Sequence, residues 1–191
     1  DYKATQGAFK GAATNTYNHS RYLIAGYLQD EFSIIPSLIL NMGIRYESLK
    51  LKLGGNLGGN PVDQKIHERE YACNLGTAYS IKPGAKIYAR MYRSYRYPVV
   101  DEYMNLRTGL INSNLKPETA MGYEAGLRFV HIPKLNINLR AFLLNVDDEI
   151  AWNNTTNQNE NLDKTRHSGV EFDFAVKPEG IVSFYGGVGY T

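Results

Sequence analysis

Apolar and polar residues alternate with a period of two along most of the chain, which is the pattern of a β-strand with two different faces. In one run Leu38, Leu40, Met42, Ile44 and Tyr46 share one parity, and Ile39, Asn41, Gly43, Arg45 and Glu47 share the other. A helix would scatter both sets around its circumference, so the pattern favours strands. We predict eight strands, at 21–32, 38–50, 69–81, 86–97, 118–130, 135–152, 166–177 and 181–191.

The connections between these strands alternate between short and long. The short ones carry the turn residues Pro and Gly, at Pro36, 82–84, 131–134 and 177–180. The long ones are predicted as loops over 51–67, with two Gly-Gly-Asn repeats, and over 98–117 and 153–165. When strands are joined in sequence order, odd and even connections lie at opposite rims, and outer-membrane barrels keep short turns at one rim and long loops at the other. We interpret residues 1–20 as a loop at the rim of the long connections or as the end of a preceding strand.

One parity of the predicted strands is polar and the other is aliphatic or aromatic. We predict that nine charged residues of the polar parity face the lumen of a barrel: Arg45, Glu47, Arg90, Arg96, Glu124, Arg128, Arg140, Glu171 and Asp173. A charge facing lipid at the midplane would cost about 2–4 kcal/mol, so the charge-free central positions of the other parity suit lipid. Several predicted strands also exceed the roughly 9–11 residues that cross a bilayer. The predicted fold is all-β, an antiparallel up-and-down transmembrane β-barrel.

Alternation alone leaves a soluble β-sandwich open, because its apolar face would pack into a core. Strand length and the parity of the loops favour the membrane barrel. The 191 residues include 15 Tyr against 7 Phe and 1 Trp, a composition that suits membrane interfaces. The net charge of +2 indicates no nucleic-acid partner, and the single Cys73 excludes an internal disulfide.

Several local groups of residues have the residue types of chemical sites. The four histidines are scattered without metal-binding spacing, and the acidic run 147–149 lacks a calcium-loop pattern, so a solvated strand extension is favoured. The segment 86–97 interleaves basic and aromatic residues, which would suit nucleic-acid stacking. Its period is that of a strand, however, and favours lumen lining or pairing of Arg90 and Arg96 with carboxylates such as Glu124. Arg93 has the opposite parity and is expected near the outer rim. We predict no catalytic residue, no metal site and no cofactor.

Short motifs in a consistent order resemble TonB-dependent receptors. They are Tyr-Leu-Gln-Asp-Glu-Phe at 27–32 with 40–47, Arg-Ser-Tyr-Arg-Tyr-Pro at 93–98 with 101–103, Asn-Leu-Lys-Pro-Glu at 114–118 with 123–128, and 166–171. The resemblance implies a 22-stranded outer-membrane barrel of a Gram-negative bacterium, closed around a plug domain and energised by the TonB–ExbB–ExbD complex. Residues 1–191 would then be a barrel segment of about eight strands that contains no plug domain.

The resemblance also implies uptake of a scarce small ligand, such as a ferric siderophore or cobalamin, by a receptor in contact with outer-membrane lipid. Ligand contacts are then expected from the three long loops and from four aromatic residues near them: Tyr95, Tyr97, Tyr103 and Trp152. Two alternatives remain. A self-contained eight-stranded barrel with a structural or adhesion role would require pairing of strands 21–32 and 181–191, and a soluble carbohydrate-binding β module would fold without detergent.

Overall fold

A computed structural model of the chain describes residues 2–3, 13–57, 60–105, 110–131, 135–177 and 182–191. Long strands dominate it, with one short helix. In chain order the elements are β1 Tyr2–Lys3, β2 Ala13–Ile35, β3 Leu38–Leu57, β4 Asn60–Lys82, β5 Ala85–Arg96, α1 Val100–Tyr103, β6 Met104–Asn105, β7 Leu110–Ile111, β8 Glu118–His131, β9 Leu135–Asn153, β10 Gln158–Val176 and β11 Phe184–Tyr190.

The long strands form one sheet in the order β1-β2-β3-β4-β5-β8-β9-β10-β11, and every pair is antiparallel. Strands adjacent in the sheet are also consecutive in the chain, apart from the two-residue β6–β7 ribbon inside the β5–β8 connection. The predicted up-and-down arrangement is therefore confirmed. Within the described residues β2 and β11 do not pair with each other, so the sheet is open. This speaks against a self-contained eight-stranded barrel.

Two of the predicted long loops are wrong, because the strands themselves continue through them. β3 and β4 run on to Leu57 and Asn60, and β9 and β10 are joined by a turn at 154–157. β2 likewise begins at Ala13, so 13–20 belongs to the first long strand. The backbone NH and CO groups of paired strands hydrogen-bond to one another whatever side chains they carry. Polar residues and glycines can therefore prolong a two-stranded ribbon that protrudes into water. The rest of 1–20 lies outside the described residues, except for β1.

Two short turns set the opposite rim. β2 and β3 are joined through Pro36-Ser37, and β4 and β5 through Pro83-Gly84. Gly84 has a positive φ of 81°, and a Cβ there would lie 2.2 Å from the carbonyl oxygen of Val130, so only glycine fits. The predicted turns at 131–134 and 177–180 lie mostly outside the described residues.

The register separates two faces. Residues directly opposite each other across an antiparallel pair point to the same side, so the pairing of Arg45 with Tyr27 and of Arg90 with Glu124 places these four side chains on one face. We call it the polar face; all nine predicted lumen-facing residues share it by register. The opposite, apolar face carries most of the exposed large hydrophobic side chains, including Leu28, Met42, Ile44, Leu75, Ile87, Met91, Leu127, Leu139, Phe172 and Val188.

The apolar face has a defined height. On β4 it extends from Ile81, beside the short turn, to Tyr71, about 34 Å of strand at 3.4 Å per residue. At the roughly 45° tilt of membrane strands this rises about 24 Å, close to the 25 Å apolar band of outer-membrane barrels. Beyond Tyr71 the same face turns charged. The strands are therefore longer than the apolar band, and their extra length lies beyond it on the side of the long connections. In the described part of the chain, no helix is long and apolar enough to span a membrane.

Candidate functional site

A chain of ion pairs crosses the polar face at the height of the apolar band. Glu124 on β8 accepts hydrogen bonds from Arg90 on β5 at 2.8 Å and from Arg140 on β9 at 3.3 Å. Arg140 in turn donates to Glu171 on β10, with Nε at 3.1 Å from the carboxylate. The predicted pairing of Arg90 with Glu124 is thus confirmed. The carboxylate of Glu124 is almost buried between its two partners, which stiffens four neighbouring strands.

A second polar-face group lies where β5 leaves β4. Arg45 on β3 binds the nearly buried carboxylate of Glu47, with Nε at 3.0 Å. The hydroxyl of Tyr97 donates to the backbone carbonyl of Glu47 at 3.3 Å, and the rings of Tyr95 and Tyr97 meet edge to face at 5.3 Å. These contacts attach the beginning of the β5–β8 connection to the inner side of β3.

Arg93 lies in the gap that this departure opens. β4 and β5 stop pairing at Cys73 and Arg93. Beyond that point the guanidinium of Arg93 donates to the carboxylate of Glu70 at 2.8 Å and to the carbonyl of Tyr71, and it stacks 4.0 Å from the centre of the Tyr71 ring. Arg93 is a charged residue with the parity of the apolar face, and this contact explains its position. Its side chain takes the place of the backbone hydrogen bonds that β5 no longer supplies to β4.

The described parts of the β5–β8 connection, residues 97–105 and 110–117, fold back against the protruding part of β3 and β4. Beyond Glu47, toward the long connections, the side chains on the polar face are apolar, and side chains of the connection cover them. The buried cluster consists of Leu51, Leu53, Ile66, Tyr103, Met104 and Leu115. We call the connection and this cluster the loop core. Apolar side chains are therefore buried here on a face that is polar elsewhere. The connection, which was predicted to be a loop, is a small folded unit.

Arg96 clamps both ends of the loop core. Its guanidinium donates to Glu118 through Nε and Nη2, both at 2.7 Å, and to Glu102 on α1 at 2.8 and 3.0 Å. Glu102 also accepts the backbone NH of Val99, and Glu118 that of Ile150, each at 2.8 Å. The hydrogen bond from Arg96 lowers the pKa of Glu118 and outweighs partial burial, which raises it.

This clamp predicts a pH dependence of the loop core. Because the pKa of Glu118 is lowered in the folded state, its stabilisation is complete above the ordinary carboxyl value and is lost as pH falls through the lowered pKa. The protection factors of the amides across 97–117, which correct for the pH dependence of the intrinsic exchange rate, should therefore fall on acidification. Glu118→Gln should accelerate exchange at neutral pH by roughly tenfold, since hydrogen bonds to charged groups contribute at least about 1.5 kcal/mol.

The matched control is Asp101→Asn, which removes an exposed carboxylate from the same short helix. It should leave both the rate and its pH profile unchanged. An equal effect of the two variants would show that the general charge of the segment, and not the Arg96 clamp, controls the loop core.

Asparagine side chains dock the loop core on β10, a contribution that the sequence reasoning missed. Asn112 donates to the carbonyl of Asn159 at 2.9 Å, and Asn159 donates to the carbonyl of Glu102 at 3.2 Å. The side chain of Asn161 accepts the backbone NH of Lys116 at 2.9 Å and donates to the carbonyl of Asp148 at 2.7 Å. The unusual number of asparagines between 153 and 161 was the available signal.

The four aromatic residues predicted to contact ligand occupy different environments. Tyr97 and Tyr103 are buried, and the hydroxyl of Tyr103 makes no hydrogen bond within the described residues. Burial raises the pKa of Tyr103 to about 12, so this hydroxyl is neutral at physiological pH. Trp152, near the end of β9, is 46% exposed and donates through Nε1 to Asn154 at 2.9 Å. Tyr95 is partly buried beside Tyr97. These assignments as ligand contacts stay predictions.

The acidic run at 147–149 is distributed among separate partners. Asp147 pairs with Lys164 at 3.6 Å, and Asp148 with Lys116 at 3.5 Å. Glu149 contacts the Nε2 atom of His167 at 3.2 Å. Because the three carboxylates pair with three different residues, they share no position for a cation. Throughout the described ranges, no group of three His, Cys, Asp or Glu side chains could hold a metal ion.

Comparison with known proteins identifies the same kind of fold that the geometry indicates. The family model described as TonB dependent receptor-like, beta-barrel, matches residues 1–191. An uncharacterised TonB-dependent receptor of Haemophilus influenzae is 27% identical over 171 residues, which are 86% of this chain and 47% of that protein, so the chain spans about half the length of this relative.

Solved structures give the same fold. The ferric-catecholate import receptor Fiu of Escherichia coli K12 is 18% identical, with a TM-score of 0.68 over 91% of this chain and 28% of that one. The copper transporter OprC is 14% identical, with a TM-score of 0.72 over 85% and 27%. The members of this family are outer-membrane receptors that bind small ligands, and they are not enzymes. This chain belongs to the TonB-dependent receptor β-barrel family.

Proposed function

We propose that this chain forms part of the wall and outer rim of an outer-membrane receptor that imports a metal chelate. The observation that carries the proposal is the division of the strands into an apolar face of membrane height and a charged, hydrogen-bonded polar face. In a barrel the first face contacts lipid and the second lines the lumen. The nine charged residues that were predicted to face the lumen, all on the polar face, would then line it.

The protruding rim gives the orientation. Outer-membrane barrels place short turns in the periplasm and long connections outside. The turns at 36–37 and 83–84 would be periplasmic, and the loop core would lie at the extracellular mouth. Energy from the TonB–ExbB–ExbD complex would reach such a barrel through a plug domain that residues 1–191 do not include.

The loop core is the proposed ligand-binding region. Trp152 offers an exposed ring and Tyr95 a partly buried one, whereas Tyr97 and Tyr103 are buried and would become accessible only if the connection moved away from β3. Rigid aromatic rings with hydrogen-bonding tips suit a chelate that is itself flat and polar-edged. Two structural relatives are named for ferric-catecholate and copper transport, and both chemistries are metal cargo. We favour a ferric siderophore as the substrate.

The test uses the complete receptor, purified in detergent, with two probes: a ferric catecholate complex and copper(II). Trp152→Ala should weaken binding of the preferred probe by about tenfold or more, because exposed aromatic anchors at binding sites contribute on the order of 1.4 kcal/mol. Leu162→Ala, a comparably exposed apolar residue on β10, is the control and should change binding little. If the receptor binds neither probe, the metal-chelate proposal is wrong.

A further inference from the structure

The apolar face of β2, β3 and β4 ends in a row of aromatic residues, and a basic patch begins directly above it. Tyr46 and Tyr71 are cross-strand neighbours at the end of the apolar band. The next rows along β3 and β4 pair Ser48 with Arg69, then Lys50 with His67, then Lys52 with Lys65. All of these side chains share the apolar-face parity. We define the outer basic patch as Lys50, Lys52, Lys65, His67 and Arg69.

The patch is exposed and poorly neutralised. Lys52 meets Asp63 at 3.9 Å with both side chains more than half exposed, and His67 contacts Ser48 at 3.2 Å. Among the described residues, Lys50, Lys65 and Arg69 have no carboxylate within 4.0 Å. Lys52 and Lys65 stand directly opposite each other. Like charges in this position are destabilising, so the arrangement costs stability unless an anion lies between them.

The long-connection end of β9 and β10 is built differently. There Asp147 stands opposite Lys164 and the two side chains pair at 3.6 Å, while Arg166 donates to Asn145 at 2.9 Å. A carboxylate pairs with Lys164 and a neutral amide accepts from Arg166, so the positive charge of this second surface is partly neutralised locally, although it belongs to the same face of the same sheet. The larger excess of positive charge therefore lies on β3 and β4.

A shallow groove runs through the patch. Its volume is about 300 Å³, and its polar lining consists of Ser20, Tyr22, Lys50, Lys52, Lys65 and His67. With rows about 6.8 Å apart along the strands, the basic rows rise to roughly 14 Å above the tyrosines at a 45° tilt. Lipid headgroups add about 10–15 Å in total to the thickness of the hydrocarbon core, or roughly 5–8 Å in each leaflet. The Arg69 row, roughly 5 Å above the tyrosines, therefore lies at the level of the headgroups, and the rows of Lys50 and Lys65 lie directly beyond it.

We propose that the outer basic patch binds the phosphate groups of an anionic lipid in the membrane leaflet at the long-connection rim. The inference rests on the membrane orientation given under Proposed function, but not on the transported ligand. The acyl chains would lie on the apolar face below the tyrosines, and the phosphates between Lys50, Lys65 and Arg69. Tyr22, which is 70% exposed beside Lys50, would contact the polar part of the headgroup.

The experiment measures binding of lipid A, a bisphosphorylated glycolipid, to the complete receptor in neutral detergent micelles. Phosphatidylcholine is the zwitterionic comparison, and inorganic phosphate is the free-ion competitor. Each basic residue near an anionic surface contributes about fivefold in affinity, so Lys50→Gln with Lys65→Gln should weaken lipid A binding by roughly 30-fold. The matched pair Lys164→Gln with Arg166→Gln should change it by less than about threefold.

Three results would overturn the inference. Equal weakening by both double variants would indicate a general charge effect. Equal binding of phosphatidylcholine would remove the role of phosphate charge, and displacement of lipid A by millimolar phosphate would indicate a free-anion site. Chelate binding, measured on the same preparations, tests the transport proposal independently, because neither double variant changes the loop core.

Discussion

Leu139→Arg is expected to destabilise the folded receptor by about 2–4 kcal/mol, the cost of a charge on the lipid face near the midplane. Leu139 lies on the apolar face of β9, midway between Leu135 beside the short-turn rim and Leu143. It is 42% exposed in this open sheet, and lipid would cover it in a barrel. Equilibrium unfolding of the complete receptor in lipid by urea gives the free energy of unfolding directly.

The matched control is Asn138→Arg, one residue earlier and on the polar face. Asn138 stands opposite Arg128 and Asp173, and its amide donates to Asp173 at 3.4 Å. An arginine there can pair with the same carboxylate, so we expect a change of less than about 1 kcal/mol. If the two variants cost the same, or if Asn138→Arg costs more, the assignment of the faces is wrong.

Tyr103→Ala is expected to have the second largest effect, unfolding the loop core and leaving the strands intact. The ring is almost completely buried among Leu51, Leu53 and Leu115, and removal of a large buried aromatic side chain costs about 3–5 kcal/mol. Hydrogen exchange should increase throughout 97–117, while the amides of β8 and β9 at the height of the apolar band keep their protection.

Tyr103→Phe separates the ring from its hydroxyl. Because the hydroxyl is buried and makes no hydrogen bond to the described part of the chain, its removal should leave the protection of 97–117 unchanged or raise it. If chelate binding nevertheless falls in this variant, the hydroxyl contacts ligand in the bound state. A loss of protection comparable to that of Tyr103→Ala would show that the hydroxyl has a structural partner and would contradict the interpretation.

Much of the fold follows from local patterns. The period-two alternation identified every long strand, and the parity of the connections predicted the antiparallel order that the register confirms. Both signals are local, because side chains alternate at every strand and tight turns require Pro or Gly. The strand ends were predicted less well. β2 was placed eight residues short at its beginning, since polar residues such as Asn15 and Asn18 are compatible with either a loop or a protruding strand.

The candidate site was predictable only in part. Charge and parity were sufficient to place the nine charged residues on one face and to pair Arg90 with Glu124. They were insufficient for the clamp of Arg96, because Glu102 and Glu118 lie 6 and 22 residues away and meet only when the connection folds back. The docking of Asn159 and Asn161 was missed for the same reason: their partners are backbone groups, which leave no mark in the side-chain pattern.

The sequence by itself determined the strands, their faces and the membership of the family, because these depend on residue type and spacing along one segment. The tertiary structure alone decided that the long connection is a packed unit and that the two hairpins beside it are extended ribbons. It also showed that the basic side chains of β3 and β4 gather above the tyrosines, where Lys52 alone among the patch residues pairs with a carboxylate of the described residues. Each of these features depends on which distant residues become neighbours, and burial and charge balance are properties of neighbours in space.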